Sequence, residues 1–245
     1  MTDINNDVET SQDVSEESTG IAMEEMLSGM RDEIRRAIAD MGFESPTPIQ
    51  QMTIPEIMKG HDIVGQAQTG TGKTAAFGIP LINRIDVSNR STQALVLCPT
   101  RELALQVARE LTRMAKYMTG LRILPIYGGQ PIETQLRFLR QGAHVIVGTP
   151  GRVIDHINRG TIDLTTISYA VLDEADEMLD MGFRDDIQTI LEHTPETRQT
   201  LLFSATMPRP ILMLAQRYQN QPQYIKVQAT ELTVDTIEQV YVEVM

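Results

Sequence analysis

Seven short apolar runs, each closing on a cluster of small, hydroxylic or charged residues, restrict what this chain can fold into. They are DIVGQA (62–67), ALVLCP (94–99), RILPIYG (122–128), HVIVGTP (144–150), YAVLDEA (169–175), TLLFSAT (200–206) and YIKVQ (224–228). Several are apolar almost throughout instead of alternating, the pattern of parallel strands covered on both faces. Between them, amphipathic spacing predicts helices at about 73–86, 101–118, 132–140, 151–158, 184–192 and 208–219. Alternation on this scale predicts βαβ units and an α/β fold: a doubly wound, mostly parallel sheet with helices on both faces. The 245 residues are enough for one such domain with a full core.

The net charge of −12 is unevenly spread, since residues 1–30 hold eight acids and no Lys or Arg. Without them about −4 remains, so the charge of the folded part does not oppose nucleic-acid binding. Residues 1–22 read as a disordered acidic tail whose simplest role is solubility. From Met23 the pattern changes: Ile34, Ala37, Ile38 and Met41 fall at helical spacing and Gly42 is a stop. GFESPTPIQ (42–50) is then a proline-punctuated turn, and IQQMTIPEIMKG resumes a short helix. The single cysteine, Cys98, excludes an internal disulfide framework, reads as a buried inert thiol and suits a reducing cytoplasm. No apolar run is long enough to span a bilayer and no signal peptide opens the chain, so a cytoplasmic protein without a membrane partner is expected.

In doubly wound sheets ligands bind beyond the carboxyl ends of the strands, so the strand ends carry the information. Here they read AQTGTGKT, PTREL, YGG, TPGR, DEAD and SAT. AQTGTGKT (67–74) follows a strand and opens a helix, the context of a phosphate-binding loop. Gly70 and Gly72 let the backbone of Ala67, Gln68, Thr69 and Thr71 wrap phosphate oxygens with its N–H groups. Lys73 would reach the β- and γ-phosphates, the Thr74 hydroxyl would ligate Mg²⁺, and the helix adds its positive N-terminal end. Ala67 stands where the general pattern has Gly, and a plain Gly-rich turn is the alternative.

The stretch YAVLDEADEMLD (169–180) crowds five acids into eight positions. Asp173, at the end of its strand, suits a Mg²⁺ holder acting largely through water. Glu174 beside it suits the group that orients and deprotonates an attacking water, which favours ATP hydrolysis over a switch GTPase. Asp176 would point to a neighbouring loop, and Glu177 and Asp180 belong on a solvated helix face.

Taken together, GFESPTPIQ (42–50), PTREL (99–103), TPGR (149–152), DEAD (173–176) and SAT (204–206) resemble the DEAD-box RNA helicase family, and most of all the first of its two RecA-like domains. The likeness runs from about residue 23 to the end, with the motifs in the family's order and initiation-factor-type members especially similar. It implies that Phe43 stacks on adenine and Gln50 reads the base edge, an amide being both donor and acceptor. The family commonly has an aromatic upstream of this turn; none precedes Phe43, and Met23 or Met26 is the substitute available. It implies that Pro99, Thr100, Arg101, Gly128, Gly129, Thr149, Gly151 and Arg152 hold the RNA backbone without reading sequence, although Arg101 and Arg152 also suit structural ion pairs. It implies that Ser204 and Thr206 bond Asp176 and couple hydrolysis to strand separation, where the residues alone better suit a capped turn before Pro208.

The division that follows is an acidic tail (1–22), a helix with the Q-motif-like turn (23–50), an ATP-binding RecA-like domain (51–230), and the start of a linker (231–245) to a second RecA-like domain not seen in this sequence. The expected activity is that of an ATP-dependent RNA helicase acting with Mg²⁺, with little turnover from this half alone because arginine fingers from the other half are worth about 10³–10⁵ in rate. An ATP-gated RNA clamp and a DNA-directed motor ATPase remain the alternatives.

Overall fold

The computed structural model describes residues 22–227. The expected acidic tail, apart from Ala22, and the expected linker lie outside the described residues. The helical pattern upstream of the first strand is broken in two. A single turn, α1 (Met23–Met26), is followed by α2 (Asp32–Asp40), which buries Ile34, Ala37 and Ile38. Next comes α3 (Pro48–Lys59), whose Pro48 sits in the first turn, where its missing N–H costs nothing. Thr47 and Gln50 have capping-box spacing there, with the Thr47 N–H donating to Gln50 Oε1, and Gly60, at φ 94°, ends the helix in the left-handed conformation that glycine adopts without strain.

From there strand and helix alternate. The order is β1 (Ile63–Gln66), α4 (Lys73–Arg84), β2 (Ala94–Leu97), α5 (Arg101–Met114), β3 (Ile123–Ile126), α6 (Ile132–Leu139), β4 (Val145–Gly148) and α7 (Pro150–Asn158). It continues with β5 (Tyr169–Leu172), α8 (Ala175–Asp180), α9 (Arg184–Glu192), β6 (Gln199–Ser204), α10 (Arg209–Tyr218) and β7 (Gln223–Lys226). Every pairing is parallel, in the strand order β3-β4-β2-β5-β6-β1-β7. The apolar runs therefore become strands at the expected places, each trimmed where its polar end leaves the ladder.

Strand period and helix placement together explain the two cores. Ile63, Ala94, Val96, Val145, Val147, Val171, Leu201 and Phe203 face one way and pack with α2, α3, α4 and α5. Their neighbours Val64, Leu95, Leu97, Ile146, Ala170, Leu172 and Leu202 face the other way and pack with α7, α8, α9 and α10. A strand whose alternate residues each meet a helical layer must be apolar at nearly every position. Cys98 is fully buried, and burial pushes its thiol well above the ordinary range, so it is an inert core residue. Among the described residues no helix is long and apolar enough to cross a membrane.

Strand order also positions the loops. At the carboxyl edge β1, β6 and β5 are adjacent, bringing AQTGTGKT, SAT and DEAD side by side. On the other half β2, β4 and β3 are adjacent, grouping PTREL, TPGR and YGG. The two groups meet where β5 pairs with β2, with Leu97 opposite Leu172.

Candidate active site

The loop after β1 rises from a ladder that continues one residue beyond the strand, with the Ala67 N–H donating to the Ser204 carbonyl at 3.1 Å. Ala67 is buried and has no left-handed backbone, so glycine is not required where the general phosphate-loop pattern has it. Glycine is required further on: Gly70 and Gly72 have φ of 85° and 93°. Gly72 is also the N-cap of α4, whose first residue, Lys73, is buried although charged.

Lys73 is held by the acidic stretch. Its Nζ donates to Glu174 Oε1 at 2.8 Å, and the Thr69 hydroxyl donates to the same oxygen at 3.1 Å. Asp173 is still on the sheet, its N–H donating to the Leu97 carbonyl at 2.9 Å. Period-2 alternation turns its side chain away from the Leu172 face, toward the layer that contains α4. Burial is the main force on this carboxyl, with repulsion from Glu174 added; together they outweigh Lys73 and raise its pKa to about 7. Its Oδ1 is buried without a hydrogen-bond partner.

The chain then turns sharply. Glu174 is the N-cap of α8 and takes φ 52°, ψ 53°, one of only two non-glycine residues at positive φ among the described residues. A left-handed side-chain-bearing residue costs on the order of 1–2 kcal/mol, and here the strain aims a carboxylate back at the phosphate loop. Glu177 and Asp180 lie on the exposed face of α8, as their spacing led us to expect.

Asp176 faces the loop after β6. Its Oδ2 accepts from the Thr206 N–H at 2.9 Å and the Thr206 hydroxyl at 2.8 Å. The Ser204 hydroxyl donates to the Thr206 carbonyl at 2.7 Å and accepts from the Asp176 N–H at 3.3 Å. Burial pushes this carboxyl up, but the hydroxyl and N–H donors around it win and hold it below its ordinary value. The SAT residues are therefore more than a turn before Pro208: they tie β6 to the acidic helix.

In the first turn of α3, Gln50 is buried and bound at both ends of its amide. Oε1 accepts from the Thr47 N–H at 3.0 Å and Nε2 donates to the Gly72 carbonyl at 3.1 Å. One N–H and one lone pair remain for another partner. Thus the turn at 42–50 is fastened to the phosphate loop, a tie that sequence reasoning did not foresee. Phe43 is half-buried against the main core, and Met23 is buried in the same cluster with Met26 partly buried against it. A Cβ on Gly72 would come within 2.4 Å of Gln50 Nε2. Gly72→Ala is accordingly expected to lower nucleotide affinity by about tenfold or more, from left-handed strand-to-helix geometry as well as the clash; titration with a fluorescent ATP analogue measures it.

At the other end of the sheet edge, Pro99 is buried and the Thr100 hydroxyl caps α5 by accepting from the Leu103 N–H at 3.2 Å. Arg101 is exposed, its guanidinium 4.9 Å from the Tyr127 ring centre. Gly128 and Gly129 are exposed in the loop after β3, with Gly129 at φ 83°. The Thr149 N–H is spent on the Ile126 carbonyl, and Gly151 is exposed in the first turn of α7. Arg152 is largely buried and engaged by the protein: Nη2 donates to the Gln130 carbonyl at 2.7 Å and Nη1 lies 3.5 Å from Asp155 Oδ2. The structural reading of Arg152 thus has direct support, whereas Arg101 has no ion pair among the described residues.

A parallel sheet with a glycine-wrapped loop at a helix N-terminus, a buried lysine, and two strand-end acids defines a nucleoside-triphosphate-binding domain of the RecA-like kind. The description "DEAD/DEAH box helicase" matches residues 47–214, and the chain belongs to that family. It is 58% identical over 216 residues to the DEAD-box ATP-dependent RNA helicase CshA of Geobacillus kaustophilus, covering 88% of this chain and 46% of that one. To the protein of the same name from Bacillus subtilis it is 53% identical, covering 88% and 43%. Among solved structures it is similar to a DEAD box protein from the hyperthermophile Methanococcus jannaschii, with TM-score 0.79 and 48% identity over 82% of this chain and 55% of that one. The chain spans less than half the length of these two relatives.

Proposed function

We propose that this chain is the ATP-binding half of an ATP-dependent RNA helicase, one that hydrolyses ATP to drive local separation of RNA strands. The observation that carries the reading is the shared carboxyl edge. There the phosphate loop, DEAD and SAT stand on adjacent strands and abut PTREL, TPGR and YGG across the β5–β2 pair. A change at the phosphates is thereby mechanically next to a polar, glycine-rich surface suited to a sugar-phosphate backbone.

The residues present fit Mg-ATP. The unpartnered Asp173 Oδ1 is a buried acceptor in need of positive charge, and Thr74 follows Lys73 in the first turn of α4. Asp173 and Thr74 would hold the cation, which when bound supplies positive charge to the phosphate oxygens. Lys73 has two N–H groups beyond the one given to Glu174, enough to bond phosphate as well. Glu174 is the base that orients water, and Thr69 and Lys73 fix its carboxylate. Phe43 and the unused side of the Gln50 amide face the base, and Arg101, Gly128, Gly129, Thr149, Gly151 and Arg152 line the RNA side with Pro99 and Thr100 supporting them. Asp176, Ser204 and Thr206 link the two.

The test is ATP hydrolysis by the whole protein with single-stranded RNA or single-stranded DNA added. Stimulation by RNA and not by DNA is the expected result, falling with salt as backbone contacts require. Equal stimulation by DNA would replace the reading with a DNA-directed motor. In the same assay Lys73→Ala is expected to abolish hydrolysis and to weaken ATP binding.

A further inference from the structure

Behind the glycine loop and Arg152 lies a buried polar network that the nucleotide chemistry does not use. Gln135, on α6, is 1% exposed, and His156, on α7, is fully buried. Gln135 Nε2 donates to the Tyr127 carbonyl at 3.0 Å and to Gln130 Oε1 at 2.9 Å, which commits both of its N–H groups. Gln135 Oε1 lies 2.9 Å from His156 Nε2, so that nitrogen carries the proton. The other ring nitrogen, Nδ1, is 2.8 Å from the Thr161 hydroxyl. Burial, with Arg152 adding to it, lowers the histidine's pKa and so favours the neutral ring, and the Thr161 hydroxyl beside Nδ1 also donates to the His156 carbonyl at 3.0 Å.

The two groups that Gln135 holds, Tyr127 and Gln130, are the residues immediately before and after Gly128-Gly129. The Gln130 carbonyl is in turn the acceptor for Arg152 Nη2, and Arg152 stands one helical turn ahead of His156 on α7. Tyr127 also lies beneath the Arg101 guanidinium. One amide therefore holds both flanks of the Gly128-Gly129 loop directly, and meets Arg152 and Arg101 only through Gln130 and Tyr127. A loop with two consecutive glycines has little of its own to fix its shape, so the fixing falls on the residues at its ends.

We infer that Gln135 and His156 are positioning residues for RNA binding: they set the conformation of the Gly128-Gly129 loop and couple it to Arg152 and α7. This rests on the reading of that face as the RNA surface. Neither residue touches RNA. Gln135 acts by fixing Tyr127 and Gln130, which flank the glycines that do, and His156 acts by holding Gln135.

Three variants test it on the chain as it stands. Gln135→Met keeps the volume and removes all three hydrogen bonds; His156→Phe removes the donor to Gln135, whereas His156→Gln can restore it. Affinity for a fluorescein-labelled oligouridylate RNA is measured by anisotropy, affinity for a fluorescent ATP analogue by titration, and amide hydrogen exchange at residues 127–130 by mass spectrometry. Gln135→Met and His156→Phe are expected to weaken RNA binding about tenfold, since a buried polar group loses its partner in each. They should quicken exchange at 127–130 by a similar factor, leave ATP-analogue affinity within about twofold, and be matched by near-normal behaviour of His156→Gln. RNA affinity unchanged in Gln135→Met, or lost together with nucleotide affinity, overturns the inference. Failure of His156→Gln to recover RNA binding overturns the part assigned to His156. If the unsubstituted chain shows no RNA binding, the reading of the face falls, and the inference falls with it.

Discussion

Glu174→Gln is expected to slow RNA-stimulated ATP hydrolysis by the whole protein by about 10²–10⁴-fold, the usual worth of a positioned general base, while ATP binding is kept. The geometry explains why glutamine and not alanine separates chemistry from structure. Glu174 Oε1 accepts from Lys73 Nζ at 2.8 Å and from the Thr69 hydroxyl at 3.1 Å, in a site where the lysine is almost fully buried. An amide oxygen can accept both bonds, so Lys73 stays anchored. Alanine would leave a buried ammonium without its main partner, at a cost on the order of 3–5 kcal/mol, and lost activity could then be lost folding. Glutamine also keeps the left-handed backbone at this position no worse than before, because the strain belongs to any Cβ. What it cannot do is take a proton from water. Phosphate release is the readout for hydrolysis, and retention of a fluorescent ATP analogue on RNA is the readout for binding. Hydrolysis at more than about a tenth of the unsubstituted rate would remove Glu174 from the role of base.

The fold was open to sequence reading because each strand is covered on both sides. An apolar residue at nearly every position of ALVL or TLLFS leaves few alternatives to a buried parallel strand, and the motifs at the strand ends then fall on one edge by construction. Strand order was not readable, yet it is what makes neighbours of AQTGTGKT, SAT and DEAD: pairing between β1 and β6 joins segments more than a hundred residues apart. Polar side chains acting through space were the least legible. Gln50 was assigned to a base, but its amide also fastens Thr47 to Gly72. Arg152 was assigned to RNA, but it is half spent on Gln130 and Asp155. Gln135 and His156 drew no attention, though one signal existed. Gln135 follows Ile132 by three positions and precedes Leu139 by four, which places a polar residue on the core-facing phase of α6. His156 follows Val153 by three on α7 in the same way. A polar residue at a core phase must find partners, and here they belong to the loop proposed to face RNA.

Asp173→Asn is expected to remove hydrolysis and, without nucleotide, to make the protein more stable at pH 8, by on the order of 1–4 kcal/mol as when other buried charges are replaced by neutral groups. The sign follows from the direction of the shift. The Asp173 carboxyl has its pKa raised from 3.8 to about 7, first by burial and then by Glu174, with Lys73 opposing both. Between about pH 4 and pH 7 the folded chain therefore holds a proton that the unfolded chain has shed, so this group makes stability fall as pH rises through that window. Asparagine has no such proton. At pH 4 the two proteins should unfold at nearly the same urea concentration, and the variant should draw ahead as pH approaches 8. Asp62, also raised by burial, and the surface carboxylates lowered by Lys59, Lys116 and Arg159 tilt both proteins alike, so the difference between the two isolates Asp173. Asparagine gives up an attraction to Lys73 that exceeds the repulsion from Glu174, so the gain rests on relief of the burial penalty, the largest of the three effects, while Glu174 at 2.8 Å still holds the lysine. Parallel stability–pH curves for the two proteins would show that Asp173 is already ionised throughout, and the strain that we attribute to its burial would have to be sought elsewhere. A diverging pair would mean that the site is built against its own stability, in favour of a positive charge that arrives with the nucleotide.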